Sequence, residues 1–306
     1  MPGLRVAPAG VKPADTLPAP ARAEFGRRAF LRACALDVQV RKPGNVSIAS
    51  PGHGMEACHF KAAAAAAAGP ISSAGAGVGE RIEVAVRAAW QATHCNTNLG
   101  IVLLCAPLLA AFERRGGEGG PGALREALEE VLAALDLEDA RAAYRAIAVA
   151  NPGGLGRAPA QDVAEAPSVG LREAMALAAH RDRIAWQYLH AFADIFELGL
   201  PAFLAAAGAP GRGMQRTFVE FVAGLPDSHI VRKHGDAVAQ CVMSEAAQWR
   251  TRARGGEVLD DDPAFAAWDE HLKARRLNPG TSADLCVAVA LVAALTQAQP
   301  PSSRFY

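Results

Sequence analysis

Five short segments of this chain gather polar residues beside glycine or proline: Lys42 to Asn45, His53 with Met55, Asn96 to Gly100, Asp227 to Asp236, and Asn278 to Asp284. Each joins the end of one helical pattern to the start of the next, where helix N-termini offer unpaired N–H groups and a positive dipole end to anions. Five such loops on one scaffold are the material of a single ligand pocket; taken singly, each also reads as caps and turns. In the segment PDSHIVRKHGD, Asp227 or Ser228 caps the following helix and Arg232, Lys233 and His234 place three cations within its first turns. Cations there oppose the dipole, and a bound polyphosphate would give them a reason, with a solvated basic turn as the plainer alternative.

The segment LDVQVRKPGNVS sets Asp37, Lys42 and Asn45 across the end of the first helix. Lys42 suits a phosphate as a point charge and Asp37 suits a base or a magnesium ligand, against the alternative of surface capping. THCNTNLG places Asn96, Thr97 and Asn98 before an apolar helix. One of the three suffices as an N-cap, so two remain to hydrogen-bond a neutral group such as a ribose hydroxyl or a base edge. Other patterns carry less. Gly75-Ala76-Gly77-Val78-Gly79 imitates a dinucleotide fingerprint but follows an alanine helix and not a strand. Cys58-His59 and His94-Cys95 lack metal-ligand spacing, and neither a G-x-S-x-G nor a Walker A pattern occurs.

The elements that must position these loops are helices. Alanine supplies roughly a fifth to a quarter of the 306 residues, well above ordinary usage. It is the strongest helix former and lets helices approach closely. Scarce lysine beside abundant arginine is what a GC-rich coding sequence tends to give, so part of the alanine excess is expected to be genomic. Periodic patterns predict helices over Ala21–Val40, Met55–Ala68 (stopped by Gly69-Pro70), Glu80–Ala92, Leu99–Arg114, Leu124–Leu135 and Leu137–Val149. Further helices are predicted over Leu171–Leu198, Arg212–Val222, Ile230–Arg252, Pro263–Arg275 and Ser282–Ala294. No segment alternates with period two for long enough to make a strand, so the expected architecture is one large all-α domain over 21–298, with a disordered proline-rich lead-in over 1–20 and a tail over 299–306.

Charge narrows the function. Lys and Arg number 31 against 31 Asp and Glu, a net charge of zero that argues against a nucleic-acid binder or a polybasic membrane-surface protein. The six cysteines are scattered and the N-terminus has no signal-peptide pattern, so a reducing cytoplasmic setting is expected. The longest apolar runs, Ile101–Phe112 and Leu285–Leu295, fall short of the ~20 residues that span a bilayer. The apolar helices are compatible with a homodimer, although no heptad seam specifies one.

Taken in order, the loops resemble those of the triphosphoribosyl-dephospho-CoA synthase family. The resemblance rests on Lys42-Pro43-Gly44-Asn45-Val46, Asn96-Thr97 with Gly100, Asp227-Ser228 followed by Ile230-Val231-Arg232-Lys233 and Gly235, and Asn278-Pro279-Gly280 with Ser282-Ala283-Asp284-Leu285. It extends from about Ala21 to Leu295. It implies an all-α transferase in which a hydroxyl of 3′-dephospho-CoA attacks C1″ of the ATP ribose and adenine leaves, with Mg2+ accompanying ATP. On that reading Asp37 and Asp227 are the catalytic candidates, and Asp227 and Asp284 the Mg2+ ligands. Lys42, Arg232 and Lys233 would meet the triphosphate, while Asn45, His53, Asn96, Thr97, Asn98, Ser228 and Asp284 line the substrates.

The chain also departs from the family's pattern. Many bacterial members have Asn-Thr-His-Lys-Gly where this chain has Asn96-Thr97-Asn98-Leu99-Gly100, and an acidic residue where it has Gly54 before Met55. It looks more like the branch found in archaea and C1-metabolising bacteria. Two further readings follow: a relative acting in the biosynthesis of another cofactor, such as a pterin- or furan-type C1 carrier, and a non-catalytic nucleotide binder using the same loops.

Overall fold

The computed structural model describes residues 18–116, 119–153, 156, 160–206 and 208–297. The chain runs through α1 (Ala19–Gln39), α2 (Ala57–Ile71), α3 (Val78–Thr93), α4 (Leu99–Arg114), α5 (Pro121–Ala133), α6 (Leu137–Ala150), α7 (Leu171–Ala178) and α8 (Arg183–Leu189). A π-helical turn, Asp194–Gly199, leads into α9 (Leu200–Leu204). Then come α10 (Pro210–Gly224), α11 (Ser228–His234), α12 (Asp236–Arg254), α13 (Pro263–Ala274) and α14 (Gly280–Thr296). Among the described residues there is no strand, only an isolated bridge between Gly52 and Met55. The expected all-α class holds. Most of the 1–20 lead-in and all of the 299–306 tail lie outside the described residues.

The two helices that are apolar all round become the centre. α4 and α14 are buried along nearly their whole length, as helices without a polar face must be. α14 touches α1, α4, α5, α8, α9, α10 and α11, and one hydrophobic core joins all of these layers. The alanine run of α2 buries Ala63, Ala64, Ala67 and Ala68, and side chains this small let α1 and α3 come close on either side. No helix of the described residues is long and apolar enough to cross a membrane.

Three expected boundaries differ, each for a local reason. Gly69-Pro70 does not stop α2, which continues to Ile71; a proline in the last turn removes only one ladder bond, and Ser72 Oγ donates to the Ala68 carbonyl at 2.6 Å to close the end. The single helix expected over Leu171–Leu198 is broken because the Asp182 carboxylate accepts from the Ile184 and Ala185 amides and starts α8 anew. Ala191 and Phe192, with φ of +45° and +54°, then turn the chain before the π-helical segment. The helix expected over Ile230–Arg252 is split at Gly235, whose φ of +87° suits glycine. That last break matters for function, because it moves Arg232, Lys233 and His234 from the early turns of a long helix to the last turn of a short one.

Candidate functional site

The loops between helix ends converge on one cavity of about 510 Å3, within the range of small-molecule sites. Its lining includes Asp37, Asn45, His53, Asn96, Thr97, Arg232, Lys233 and Asp284, so eight of the residues singled out in the sequence meet there. They come from α1, from the loops after α1 and α3, from α11 and from α14. Lys42, Asn98, Asp227 and Ser228 stand behind this wall and do not line the cavity.

The buried side of the cavity is acidic. Asp37, in the last turn of α1, is only 3% exposed, and Lys42 behind it is fully buried. Lys42 Nζ donates to the Asp37 carbonyl oxygen at 2.5 Å and lies 3.1 Å from Oδ1, without the geometry of a hydrogen bond to that carboxylate oxygen. The expectation of Lys42 as a phosphate contact does not match this placement: its ammonium is spent on Asp37. Burial pushes the Asp37 carboxyl above its usual range, and Lys42 opposes the rise. Asp284, in the first turns of α14, has no hydrogen-bond or ion-pair partner among the described residues. Its carboxyl is pushed well above the usual range by burial, then by the like charges of Asp37, Asp227 and Asp182. Asp284 Oδ2 lies where a Cβ on Gly100 would stand, so glycine at the start of α4 is what leaves room for the carboxylate.

Asp227 takes a different place from the one expected. Its Oδ1 accepts from the His229 and Ile230 amides, capping α11, and its Oδ2 accepts from the Ser282 amide and hydroxyl, both at 2.8 Å. A carboxylate with both oxygens tied between two helix starts is a clamp between α11 and α14, and its geometry does not suit it to act as a base or a Mg2+ ligand. Ser228 Oγ likewise accepts from the Arg183 amide, fixing the start of α8. Burial raises the Asp227 carboxyl, while the Ser282 bonds counter it.

The exposed side of the cavity is basic. Arg232 donates from Nε to the Gly153 carbonyl and from Nη1 to Asp182 Oδ2, at 3.2 and 3.3 Å. Lys233 has no hydrogen-bond or ion-pair partner among the described residues, and burial followed by the charge of Arg232 lowers its amine. At the C-terminus of α11 these cations complement the dipole, so they need no anion to excuse them; what points to a ligand is the unpaired amine of Lys233. Between the two sides stands His229, held neutral with its pKa down to about 3 by burial and then by Lys233 and Arg232. His53, with φ of +56°, lies with Nε2 2.7 Å from the Gly44 carbonyl oxygen, a bond in which Nε2–H donates. Burial lowers its pKa as well.

The remaining polar wall is incompletely satisfied. Asn98 stands at the N-cap of α4 without a side-chain cap bond; Asn96 Oδ1 accepts from the Leu99 amide in its stead, whereas Thr97 Oγ1, Asn98 Nδ2 and Asn45 Oδ1 are buried without a partner. One residue of the trio thus serves the helix start and two are left over, as expected. Such buried, unpaired groups are costly and rare. Opposite them the cavity is apolar, walled by Leu103, Tyr144, Ile147, Leu171 and Met175. Sequence reasoning missed Asp182, Arg181 and His229. The run His180-Arg181-Asp182-Arg183 breaks an amphipathic pattern and was the available signal for the first two. His229 lay within a segment already singled out.

The family model CitG, described as ATP:dephospho-CoA triphosphoribosyl transferase, matches residues 23–303, and the chain belongs to that family of transferases. The fold is also similar to a crystal structure from Archaeoglobus fulgidus, provisionally assigned as a triphosphoribosyl-dephospho-CoA synthase. The two are 21% identical with a TM-score of 0.62 over 79% of this chain and 100% of that one. No curated protein sequence matches the chain.

Proposed function

We propose that the cavity carries out the reaction for which its family is named: an acceptor hydroxyl, on 3′-dephospho-CoA, attacks C1″ of the ATP ribose, and adenine departs while the triphosphate stays attached. The observation that carries this reading is the pairing, in one cavity, of an unpartnered amine on the exposed side, Lys233, with an unpartnered carboxylate on the buried side, Asp284. Lys233 and Arg232 bind the triphosphate. Asp37 takes the proton of the attacking hydroxyl; its raised carboxyl is poised for that role, and Lys42 keeps the ionised form available. Thr97 and Asn45 offer hydrogen bonds to the ribose.

Among the described residues no group of three or more His, Cys, Asp or Glu is arranged to hold a metal on protein ligands alone. Magnesium seldom needs one, since a carboxylate or two together with substrate phosphates completes its shell. The unpaired Asp284 fits that donor set and would hold the ion. Bound there with the triphosphate, Mg2+ supplies charge neutralisation to the phosphate oxygens.

The test is adenine release, followed by chromatography with purified protein, Mg-ATP, and 3′-dephospho-CoA present or omitted. Acceptor-dependent adenine is the expected result, and its absence from folded protein would overturn the assignment of substrates. A second reading, transfer in the making of a pterin- or furan-type carrier, is favoured by the apolar wall of Leu103, Ile147, Leu171 and Met175, which a triphosphate does not use. It predicts adenine release only when a pterin- or furan-bearing acceptor replaces dephospho-CoA.

A further inference from the structure

Asp269 lies on α13, outside the cavity lining, and its side chain is fully buried. A carboxylate so placed must be compensated, and the partners that compensate it all belong to, or hold, the loop that presents Asn45. The Gly44 amide donates to Oδ1 at 2.8 Å, Arg41 Nη1 donates to Oδ2 at 3.1 Å, and Lys273 Nζ donates to Oδ2 at 2.9 Å. Lys273 reaches onward to the Ser50 carbonyl at 3.1 Å, so α13 grips the loop at both ends. Gly44 has a φ of +82°, and a Cβ there would run into the Leu277 carbonyl oxygen and the Pro279 ring. The backbone is therefore held in a left-handed turn immediately before Asn45.

Asn45 then has little choice of pose. Its Nδ2 donates to Asn278 Oδ1 at 2.9 Å, which leaves Oδ1 as the end of the amide without a partner. We infer that Asp269, through the Gly44 amide, is a positioning residue for Asn45, setting the pose in which this amide oxygen meets the ribosyl substrate. The inference rests on the reading that Asn45 contacts that substrate.

The experiment is a double-mutant cycle on Mg-ATP affinity with Asp269→Asn, Asn45→Ala and the pair, accompanied by hydrogen exchange at the Gly44 and Asn45 amides of the free protein. Asp269→Asn keeps the shape of the side chain; Asp269→Ala is the harsher companion, used only where it folds. If Asp269 acts through Asn45, each single variant weakens Mg-ATP binding, by up to about 10-fold, and the double variant is no weaker than Asn45→Ala. Exchange at Gly44 also quickens in Asp269→Asn. Additive losses, or unchanged exchange at Gly44, would overturn the assignment. Should the unmodified protein bind no Mg-ATP, the functional reading fails, and the exchange measurement still decides whether Asp269 holds the turn.

Discussion

The acidic and basic sides of the cavity are built on different kinds of support. Asp37 and Asp284 stand on α1 and α14, long helices embedded in the core, whereas Arg232 and Lys233 stand on the seven-residue α11. Asp37 is buried and Asp284 half-buried, both with raised carboxyl pKa values; Arg232 is half-buried and paired with Asp182, and Lys233 is exposed and unpaired. The contrast teaches a division of labour. On the proposed reading, the groups that take a proton or hold a metal are carried by the rigid core, which keeps them within a fraction of an ångström. Groups that capture a flexible polyphosphate tolerate a short, adjustable support.

Four experiments would break or sharpen this comparison. Asp37→Asn should give the largest change, lowering kcat for adenine release by about 10²–10⁴-fold with Mg-ATP affinity little altered; an unchanged kcat would remove the buried acid from the chemistry. Lys42→Met should leave Asp37 buried and uncompensated, costing about 3–5 kcal/mol of stability in urea unfolding at neutral pH. No comparable loss is expected from Lys233→Ala, because its amine has no partner to abandon. That variant should instead raise KM for ATP by about 10-fold, the loss of roughly 1.4 kcal/mol of phosphate binding, at nearly constant kcat. Equal effects of Lys42 and Lys233 substitutions on KM would erase the distinction between a positioning and a binding lysine.

The smallest effect is on the pH dependence of stability, and there the two regions differ in sign. The Asp284 carboxyl has a folded pKa raised above the ordinary 3.8, so its burial cost is present in full above the folded pKa and is relieved as pH falls through it. His229 is lowered from 6.5 to about 3; the unfolded chain takes up its proton first, and stability is lost as pH falls from 6.5 towards 3. Melting curves should therefore show Asp284→Asn raising the neutral-pH melting temperature by about 2 °C for each kcal/mol relieved, and His229→Asn reducing the loss on acidification. On acidification, Asp284→Asn should remove a gain in melting temperature and His229→Asn should remove a loss, so changes of the same sign in the pH slope of both variants would contradict the charge arrangement.

Much of the site was legible because its residues sit in loops with unmistakable composition. Lys42-Pro43-Gly44-Asn45 and Asn96-Thr97-Asn98 announce polar groups at helix ends, and one cap per helix leaves a countable surplus. What could not be read was which carboxylate has spare oxygens. Asp227 and Asp284 look equivalent in sequence, each near a helix start, yet Ser282 reaches Asp227 across 55 positions and saturates it. Asp182 had a signal, the charged run His180-Arg181-Asp182-Arg183, but nothing local distinguishes such a run on a solvated helix face from one that caps a new helix.

The sequence by itself determined the class of fold and pointed to the loops that meet at the cavity, without telling the residues that line it from those, such as Lys42 and Asp227, that stand behind it. Apolar periodicity, alanine and the absence of alternation leave helices as the only way to satisfy the backbone, and loops rich in Gly, Pro and Asn must lie where helices end. Only the tertiary structure decided what each charge does there. Whether a lysine binds phosphate or neutralises an aspartate, and whether an aspartate is a clamp or an open ligand, depends on neighbours brought from distant positions and on how much water they exclude. Those are properties of packing that no local pattern records.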